Sequence, residues 1–141
     1  SRLAGLDLFV SVAAVADQRP ERRAAQKVKK GEGEEQLTLV RTPDILARAS
    51  AQAAGESRPL FVGFAAETEQ VLEHAAEKLQ RKGIDLIAAN DLTEAGSGFG
   101  TPTNRLTLID RSGAKSELPP MSKEEAAHGL LERAVALRRS S

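Results

Sequence analysis

The stretch PLFVGFAAETEQVLEHAAEKLQRKGIDLIAAN, residues 59–90, decides the fold because it contains one complete strand–helix–strand unit. Residues 59–66 and 84–90 are apolar runs of strand length, and such near-continuous runs are typical of parallel strands covered on both faces. Residues 67–83 repeat their apolar positions at helical spacing, begin with acids, end with basic residues and stop at Gly83, which matches the polarity of helix ends. The sequence therefore predicts a right-handed βαβ unit.

Two segments before this unit are also predicted to be strands. Residues 6–16, LDLFVSVAAVA, form another apolar run that we interpret as a buried parallel strand, and residues 35–42 alternate as a half-exposed strand. The tripeptide TPD at 42–44 then predicts a helix start, with Thr42 as its N-cap and a proline at the first helical position. We expect this helix to run to about Ala54.

The segments after the unit predict a hairpin and a closing helix. Residues 105–120 form two strand-like runs around a turn at 112–113, and residues 122–139 form an amphipathic helix capped by Ser122. We expect its apolar face to consist of Leu130, Leu131, Val135 and Leu137, with the alanines between them. The predicted fold class is α/β: a Rossmann-like, mostly parallel sheet with flanking helices, followed by a C-terminal hairpin and helix.

Composition excludes several kinds of protein. The chain has 141 residues, which suits one domain, and no cysteine, which excludes disulfides, thiolate metal ligands and a cysteine nucleophile. Basic and acidic residues both number 20, and the net charge of +0 offers no global attraction to nucleic acid or to an anionic membrane. We expect neither as a partner. No apolar run approaches the roughly 20 residues that cross a bilayer, and we expect a cytoplasmic protein.

Two signals that suggest a site are rejected. His74 and His128 lie on predicted helices without a second ligand at metal spacing, so we predict no metal site on the chain. Residues 96–100, GSGFG, do not lead from a strand straight into a helix, so they are not a dinucleotide fingerprint. That absence argues against an NAD-dependent Rossmann enzyme, and we predict a flexible loop there.

The strongest functional signal is AAVADQRPERRAAQKVKK, residues 13–30. It places an apolar strand end, the carboxylate of Asp17 and the basic cluster Lys27, Lys29 and Lys30 within one connection. An acid at a strand end can bind ribose hydroxyls, and lysines on the following loop can bind phosphates. The pattern predicts a site for a phosphate-bearing nucleotide.

Several segments together carry a resemblance to a known family. In their order and spacing they resemble the phosphopantothenoylcysteine synthetase domain, usually the C-terminal half of the bifunctional bacterial coenzyme A biosynthesis protein. The match runs from about residue 6 to the end of the chain. The five segments are VAAVADQRP (12–20), QKVKK (26–30), TPDIL (42–46), VGFAAET (62–68) and LIAANDL (86–92).

The resemblance implies a ligase that uses CTP to join phosphopantothenate and cysteine. The phosphopantothenate carboxylate attacks the α-phosphate of CTP, pyrophosphate leaves, and the amine of cysteine displaces CMP from the acyl-cytidylate. Magnesium is expected with the triphosphate, and no flavin is expected on this part.

The resemblance also implies which residues bind CTP. Asp17 would contact the cytidine portion, Phe64 the base, and Lys27 would be the catalytic lysine of a flap that closes over the triphosphate. Lys29 and Lys30 are closer to an ordinary basic turn. The full implied set is Ser11, Val12, Ala13, Asp17, Lys27, Pro43, Asp44, Ile45, Leu46, Phe64, Lys78 and Lys82.

Structural alternatives stay open for several of these residues. Residues 42–44 make a good helix start with or without a ligand, and a strand phenylalanine such as Phe64 is ordinarily a core residue. Lys78 and Lys82, four residues apart on one helix face, also complement the helix dipole. Residues 90–91 lie at the ligand edge of the sheet but can equally terminate the strand.

The chain departs from the family pattern in two ways. Gln18 stands where bacterial members have an aromatic residue, and the family's opening portion, with its glycine-rich first strand and an asparagine that holds the intermediate, does not precede Ser1. We therefore expect a sheet edge left unpaired, a chain that is inactive alone, and a homodimer formed through the flap segment 19–42. The alternative is a non-catalytic nucleotide-binding or oligomerisation module.

Overall fold

The computed structural model describes residues 3–27, 36–53, 55, 58–94, 96–97 and 100–140. Its strands are β1 (Leu8–Val10), β2 (Gln18–Pro20), β3 (Leu39–Arg41), β4 (Leu60–Glu67), β5 (Leu86–Asp91), β6 (Thr103–Asp110) and β7 (Lys115–Ser122). Its helices are α1 (Ile45–Gln52), α2 (Val71–Lys82) and α3 (Lys123–Ser140).

Five of the strands form one mixed sheet in the order β1-β4-β5-β6-β7. The pairs β1–β4 and β4–β5 are parallel, whereas β5–β6 and β6–β7 are antiparallel. Strands β2 and β3 pair with each other in a separate antiparallel ribbon. This architecture confirms the α/β class, with its βαβ unit, C-terminal hairpin and closing helix.

The sheet has a hydrophobic core on each face because successive residues of a strand point to opposite sides. On one face Phe61 and Ile87 pack against the buried residues of α1 and α2. On the other face Val62, Leu86 and Leu108 pack against α3. The near-continuous apolar run of β4 is therefore buried on both faces, as its sequence predicts.

Helix ends follow the predicted chemistry in two places. Helix α2 ends at Gly83, whose φ of 61° is left-handed, a conformation that glycine adopts without steric penalty. At the start of α3 the N–H and hydroxyl of Ser122 donate to Glu125 Oε2 at 2.9 and 2.7 Å, and the Glu125 N–H donates back to Ser122 Oγ at 3.2 Å. This reciprocal pair is a capping box and confirms Ser122 as the cap.

The first predicted strand is much shorter than expected. Residues 6–16 were predicted to form one strand, but β1 covers only Leu8–Val10, and the rest of the run is irregular. Within the described residues β1 has β4 as its one neighbour, so it is an edge strand. Val12 and Val15 are 61% and 54% exposed, so an apolar pattern alone was not sufficient evidence for a buried strand.

Two helix predictions need correction. The N-cap of α1 is Asp44, whose Oδ1 accepts a hydrogen bond from the Ala47 N–H at 3.0 Å, and the helix ends at Gln52. Thr42, the predicted N-cap, instead donates hydrogen bonds to the backbone carbonyls of Ala16 and Asp17. On α3 the buried residues are Ala126, Leu130 and Ala134, while Leu131 and Val135 are exposed, because alanines let the helix approach the sheet closely.

The predicted turn at 112–113 joins β6 to β7 and is organised by a buried carboxylate. Asp110 Oδ1 accepts hydrogen bonds from the N–H groups of Ser112 and Ala114 at 2.9 and 3.1 Å, and Oδ2 accepts one from Arg133 at 2.6 Å. Burial would raise the pKa of Asp110, but these donors outweigh it and lower the pKa.

In the described part of the chain no helix is both long and apolar enough to cross a bilayer.

Candidate functional site

A cavity of about 610 Å³ lies at the carboxyl edge of the parallel strands. It is lined by four stretches of the chain: residues 11–17 after β1, residues 42–46 at the start of α1, residues 64–66 of β4, and residues on the last turns of α2. Further lining comes from β5, β6 and the first residue of α3. Parallel α/β sheets bind ligands at this edge.

Eleven of the twelve residues implied by the resemblance line this cavity. Lys27 is the exception: it is exposed on the segment after β2 and is not part of the lining. Lys29, Lys30 and residues 98–99 of the predicted glycine-rich loop lie outside the described residues. The lining members are Ser11, Val12, Ala13, Asp17, Pro43, Asp44, Ile45, Leu46, Phe64, Lys78 and Lys82.

The loop that follows β1 is fixed at both ends. At its start the Ser11 N–H donates to the Val62 carbonyl of β4 at 2.9 Å. At its end the Thr42 N–H donates to the Asp17 carbonyl at 2.9 Å, and the Thr42 hydroxyl donates to the Ala16 carbonyl. The irregular stretch 11–17 is therefore held as one wall of the cavity, although it is not a strand.

Asp44 has two roles at the start of α1. Its Oδ1 caps the helix, and its Oδ2 lies 2.9 Å from Lys82 Nζ at the end of α2. Burial alone would raise the pKa of Asp44, but the Ala47 N–H and the Lys82 ammonium outweigh that effect and lower the pKa. This carboxylate thus joins the two helices that border the cavity.

Lys78 is also paired within the structure. Its ammonium donates to Glu67 Oε1 at the end of β4, and His74 Nδ1 lies 3.9 Å from the other oxygen of the same carboxylate. Both lysines of α2 that line the cavity are therefore positioned by acids. The helix-dipole alternative alone does not account for this arrangement, because the partners come from other elements.

Phe64 serves the core and the cavity together. Its ring is partly buried and packs against the core cluster on the α3 face, while the residue also lines the cavity. The two interpretations of this phenylalanine are therefore compatible, since one side of the ring can pack on the core and the remainder can face a ligand.

Asn90 and Asp91, the last two residues of β5, have different surroundings. Asp91 accepts hydrogen bonds from the Thr93 N–H and hydroxyl at 2.8 and 2.6 Å, which lower its pKa and terminate the strand. Asn90 is 9% exposed and lines the cavity, and its Oδ1 is buried with no hydrogen-bond partner among the described residues.

Some lining residues were not anticipated from the sequence. Asn104 on β6 and Lys123 at the start of α3 border the cavity together with Leu92 and Leu106. Asn104 and Leu106 lie on β6, which pairs antiparallel with β5, and Lys123 begins α3, so the rule for parallel strand ends does not cover these three. Recognising them required the three-dimensional pairing of β5 with β6.

The described residues contain no group of three histidine, aspartate or glutamate side chains arranged to hold a metal ion. Asp17 and Asp44 are the carboxylates in the described cavity lining, and the oxygens of Asp44 are engaged with Ala47 and Lys82.

Comparison with known proteins places the chain in a family. Residues 1–137 match the family described as DNA/pantothenate metabolism flavoprotein C-terminal domain. The chain belongs to this family. It is also similar to the C-terminal domain of the coenzyme A biosynthesis bifunctional protein CoaBC, whose crystal structure superposes with a TM-score of 0.71 at 32% identity over 96% of this chain and 58% of that one.

The chain is also similar to several bacterial CoaBC proteins. The chain is 46% identical to CoaBC of Vibrio cholerae serotype O1 over 126 residues, covering 88% of the chain and 31% of that protein. It is 41% identical to CoaBC of Bacillus subtilis over 133 residues, covering 93% of the chain and 32% of that protein. The chain thus spans about a third of the length of these relatives. The relationship confirms the resemblance to the synthetase part of coenzyme A biosynthesis proteins.

Proposed function

We propose that this cavity binds CTP and that the chain supplies the nucleotide-binding part of a phosphopantothenate–cysteine ligase of coenzyme A biosynthesis. One observation carries the proposal. Residues from four separate stretches that the resemblance implicates border a single cavity at the ligand edge of the sheet. Such a convergence is not required by the fold, since each stretch could satisfy its local structure while facing elsewhere.

The chemistry of the lining suits a nucleotide. The Asp17 carboxylate accepts hydrogen bonds only, so it suits the hydroxyl or amine donors of cytidine. The Phe64 ring can pack on the base, and the N–H groups in the first turn of α1, beside Ile45 and Leu46, can bind polar ligand atoms. Lys78 and Lys82 provide positive charge for phosphates.

Charge in the cavity explains why a flap lysine is needed. Three lysines (Lys78, Lys82 and Lys123) and two aspartates (Asp17 and Asp44) line it, which leaves a single excess positive charge. A triphosphate carries several negative charges, and further charge develops on the leaving pyrophosphate as its bond to the α-phosphorus breaks. A mobile cation such as Lys27, brought over the ligand, would supply the missing charge in the transition state.

In the proposed reaction two bonds are exchanged in sequence. A phosphopantothenate carboxylate oxygen forms a bond to the α-phosphorus of CTP as the bond to pyrophosphate breaks. The cysteine amine then attacks the acyl carbon, loses a proton and releases CMP. Magnesium enters with the triphosphate as part of the substrate, and this chain's residues bind, orient and neutralise that substrate.

Titration calorimetry tests the proposal directly. We expect the chain to bind CTP with magnesium at least about tenfold more tightly than ATP, a difference of about 1.4 kcal/mol, because a larger purine must fit beside Phe64 and Asp17. Equal affinity for CTP and ATP would support the non-catalytic nucleotide module instead. No binding of either nucleotide contradicts the proposal.

We also propose that the chain forms a homodimer through the described parts of segment 19–42. The β2–β3 ribbon stands apart from the main sheet, and Leu37 and Leu39 are 67% and 50% exposed. Large apolar side chains at such exposure favour burial against a second copy. Light scattering at about 100 µM chain, well above the Kd of a typical stable dimer, should give twice the 15.0 kDa mass. The double variant Leu37→Ser/Leu39→Ser should be monomeric, and a monomeric wild-type chain contradicts the dimer.

A further inference from the structure

A second cavity, of about 380 Å³, lies at the amino end of strands β4 and β5, the edge of the sheet opposite the proposed CTP site. Its volume is in the range of small-molecule sites, and its described lining has no residue in common with that of the CTP cavity. Three arginines from separate parts of the chain converge on it: Arg58 before β4, Arg111 after β6 and Arg138 near the end of α3. This second cavity is therefore a distinct place in the fold where guanidinium groups meet.

The three arginines have one carboxylate between them, that of Asp85. Its Oδ1 contacts the guanidinium groups of both Arg58 and Arg111, and its Oδ2 accepts the Phe61 N–H at 2.8 Å. The Arg138 guanidinium donates to the backbone carbonyl of Arg58 at 3.1 Å, which is an uncharged partner. Three positive charges thus meet one negative charge, and two of the positive charges lack an anionic partner within the described residues.

The other carboxylate of the described lining, Asp110, does not supply the missing charge. Its Oδ1 accepts hydrogen bonds from the N–H and hydroxyl of Ser112, and its Oδ2 accepts one from Arg133, which lies outside the lining. Asp110 and Arg133 therefore neutralise each other. Guanidinium groups that lie close together repel one another, and an anion placed between them removes that repulsion.

Two of the guanidinium groups are already held in place for a ligand. The Arg58 group lies over the Phe61 ring, 5.7 Å from its centroid, and the Arg111 group donates to the Gly83 carbonyl at 2.7 Å. Each guanidinium has five N–H donors in a planar fork, and the bonds within the described residues occupy only some of them. The remaining donors can bind an oxyanion with little further loss of side-chain freedom.

We propose that this second cavity binds the phosphate group of a small phosphate monoester. Such a group carries a charge of about −1.5 to −2 at pH 7, which matches the two unpaired positive charges better than the single charge of a carboxylate. Pro59, Leu60 and Leu137 line the same cavity, so the rest of the ligand has an apolar surface to pack against. This inference does not rest on the proposed function, because it concerns a different edge of the sheet.

The test uses phenyl phosphate, which joins a phosphate monoester to an apolar ring, in an NMR titration of the chain at constant ionic strength. We expect a Kd of about 1 mM or tighter, with changes in the amide shifts of residues 58–60, 85 and 111–112. Benzoate, which carries a carboxylate on the same ring, should bind at least about tenfold more weakly. Phenol, which carries no charge at neutral pH, should not bind.

Arg138→Gln removes one of the three guanidinium groups and should weaken phenyl phosphate binding about tenfold, the loss expected for one hydrogen bond to a charged group. Its Tm should stay close to that of the wild type, because Arg138 is exposed and donates only to a backbone carbonyl. Arg139→Gln makes the same change at the next residue, which is exposed and outside the lining, and should leave the affinity unchanged. Arg111→Lys keeps the charge but loses the planar fork, so it should also weaken binding.

Three results would overturn the inference. The first is no binding of phenyl phosphate up to about 10 mM, tenfold above the expected Kd, or shift changes confined to the lining of the CTP cavity. The second is an equal loss of affinity in Arg138→Gln and Arg139→Gln, which would show general attraction to positive charge. The third is benzoate binding as tight as that of phenyl phosphate. None of these measurements requires CTP to bind, so the proposed function and this inference can fail separately.

Discussion

Asp17→Ala is expected to weaken CTP binding by about 10- to 100-fold, the range given by losing a hydrogen bond to a charged group. Asp17 lines the cavity and is exposed, and its side chain makes no hydrogen bond or ion pair within the described residues. Its backbone carbonyl, which fixes the loop through Thr42, is unaffected by the substitution. The Tm should therefore stay within about 1 °C of the wild-type value, since little stability is lost at an exposed, unpaired side chain.

Two further variants make the Asp17 result specific. Glu21→Ala removes an exposed acid from the same segment, outside the cavity lining, and should leave CTP affinity unchanged. Asp17→Asn keeps one acceptor but no charge, so its affinity should lie between those of wild type and Asp17→Ala. CTP affinity retained within twofold in Asp17→Ala would show that the carboxylate does not contact the nucleotide.

Phe61→Ala is expected to lower the free energy of unfolding by about 3–5 kcal/mol, the usual range for truncating a buried phenylalanine. Phe61 is fully buried in the core on the α1–α2 face. Its ring centroid lies 5.4 Å from that of Phe9 on β1, and the Arg58 guanidinium lies over it at 5.7 Å. Collapse of this cluster would also loosen β1, which leads into the cavity wall.

Urea denaturation monitored by circular dichroism measures this loss by linear extrapolation. Phe64→Ala, three residues later on β4, makes the same truncation at a partly exposed ring and should lose at most about half as much, since less apolar area returns to water. If Phe61→Ala does not fold, Phe61→Leu should give a smaller, measurable loss. If Phe61→Ala and Phe64→Ala lowered the free energy of unfolding equally, Phe61 would not be the more deeply buried ring described above.

The sequence predicted the elements whose signals are local. The strand–helix–strand unit of 59–90 has apolar runs of the right length and a glycine stop at Gly83, and the Ser122–Glu125 capping box lies within a single turn. Such signals depend on residues close in the chain, so they survive whatever the rest of the fold does. The family resemblance then identified eleven of the 22 residues that line the cavity, because it carries information about ligand contacts that periodicity lacks.

The predictions were wrong where contacts between distant parts of the chain determine strand length and side-chain burial. Residues 11–16 are as apolar as a buried strand, yet β1 ends at Val10 because pairing with β4 ends there and no covering layer buries Val12. On α3 the predicted leucine and alanines are buried at Leu130, Ala126 and Ala134, but Leu131 and Val135, predicted on the same face, are exposed. The unmatched amide of Asn90 depends on which donors surround it in three dimensions, and no sequence pattern reports their absence.

The acids that pair with Lys78 and Lys82 in the free cavity have a consequence for the proposed reaction. Immobilising a flexible lysine side chain when a ligand binds costs about 0.5–1.5 kcal/mol of free energy. Lys78 and Lys82 are already restrained by Glu67 and Asp44 before any ligand binds. Partly exposed pairs of this kind are worth at most about 1 kcal/mol, so an incoming phosphate can replace a carboxylate easily. In the proposed reaction, the same carboxylates would pair with the ammonium groups again when the phosphate leaves, and this would favour product release.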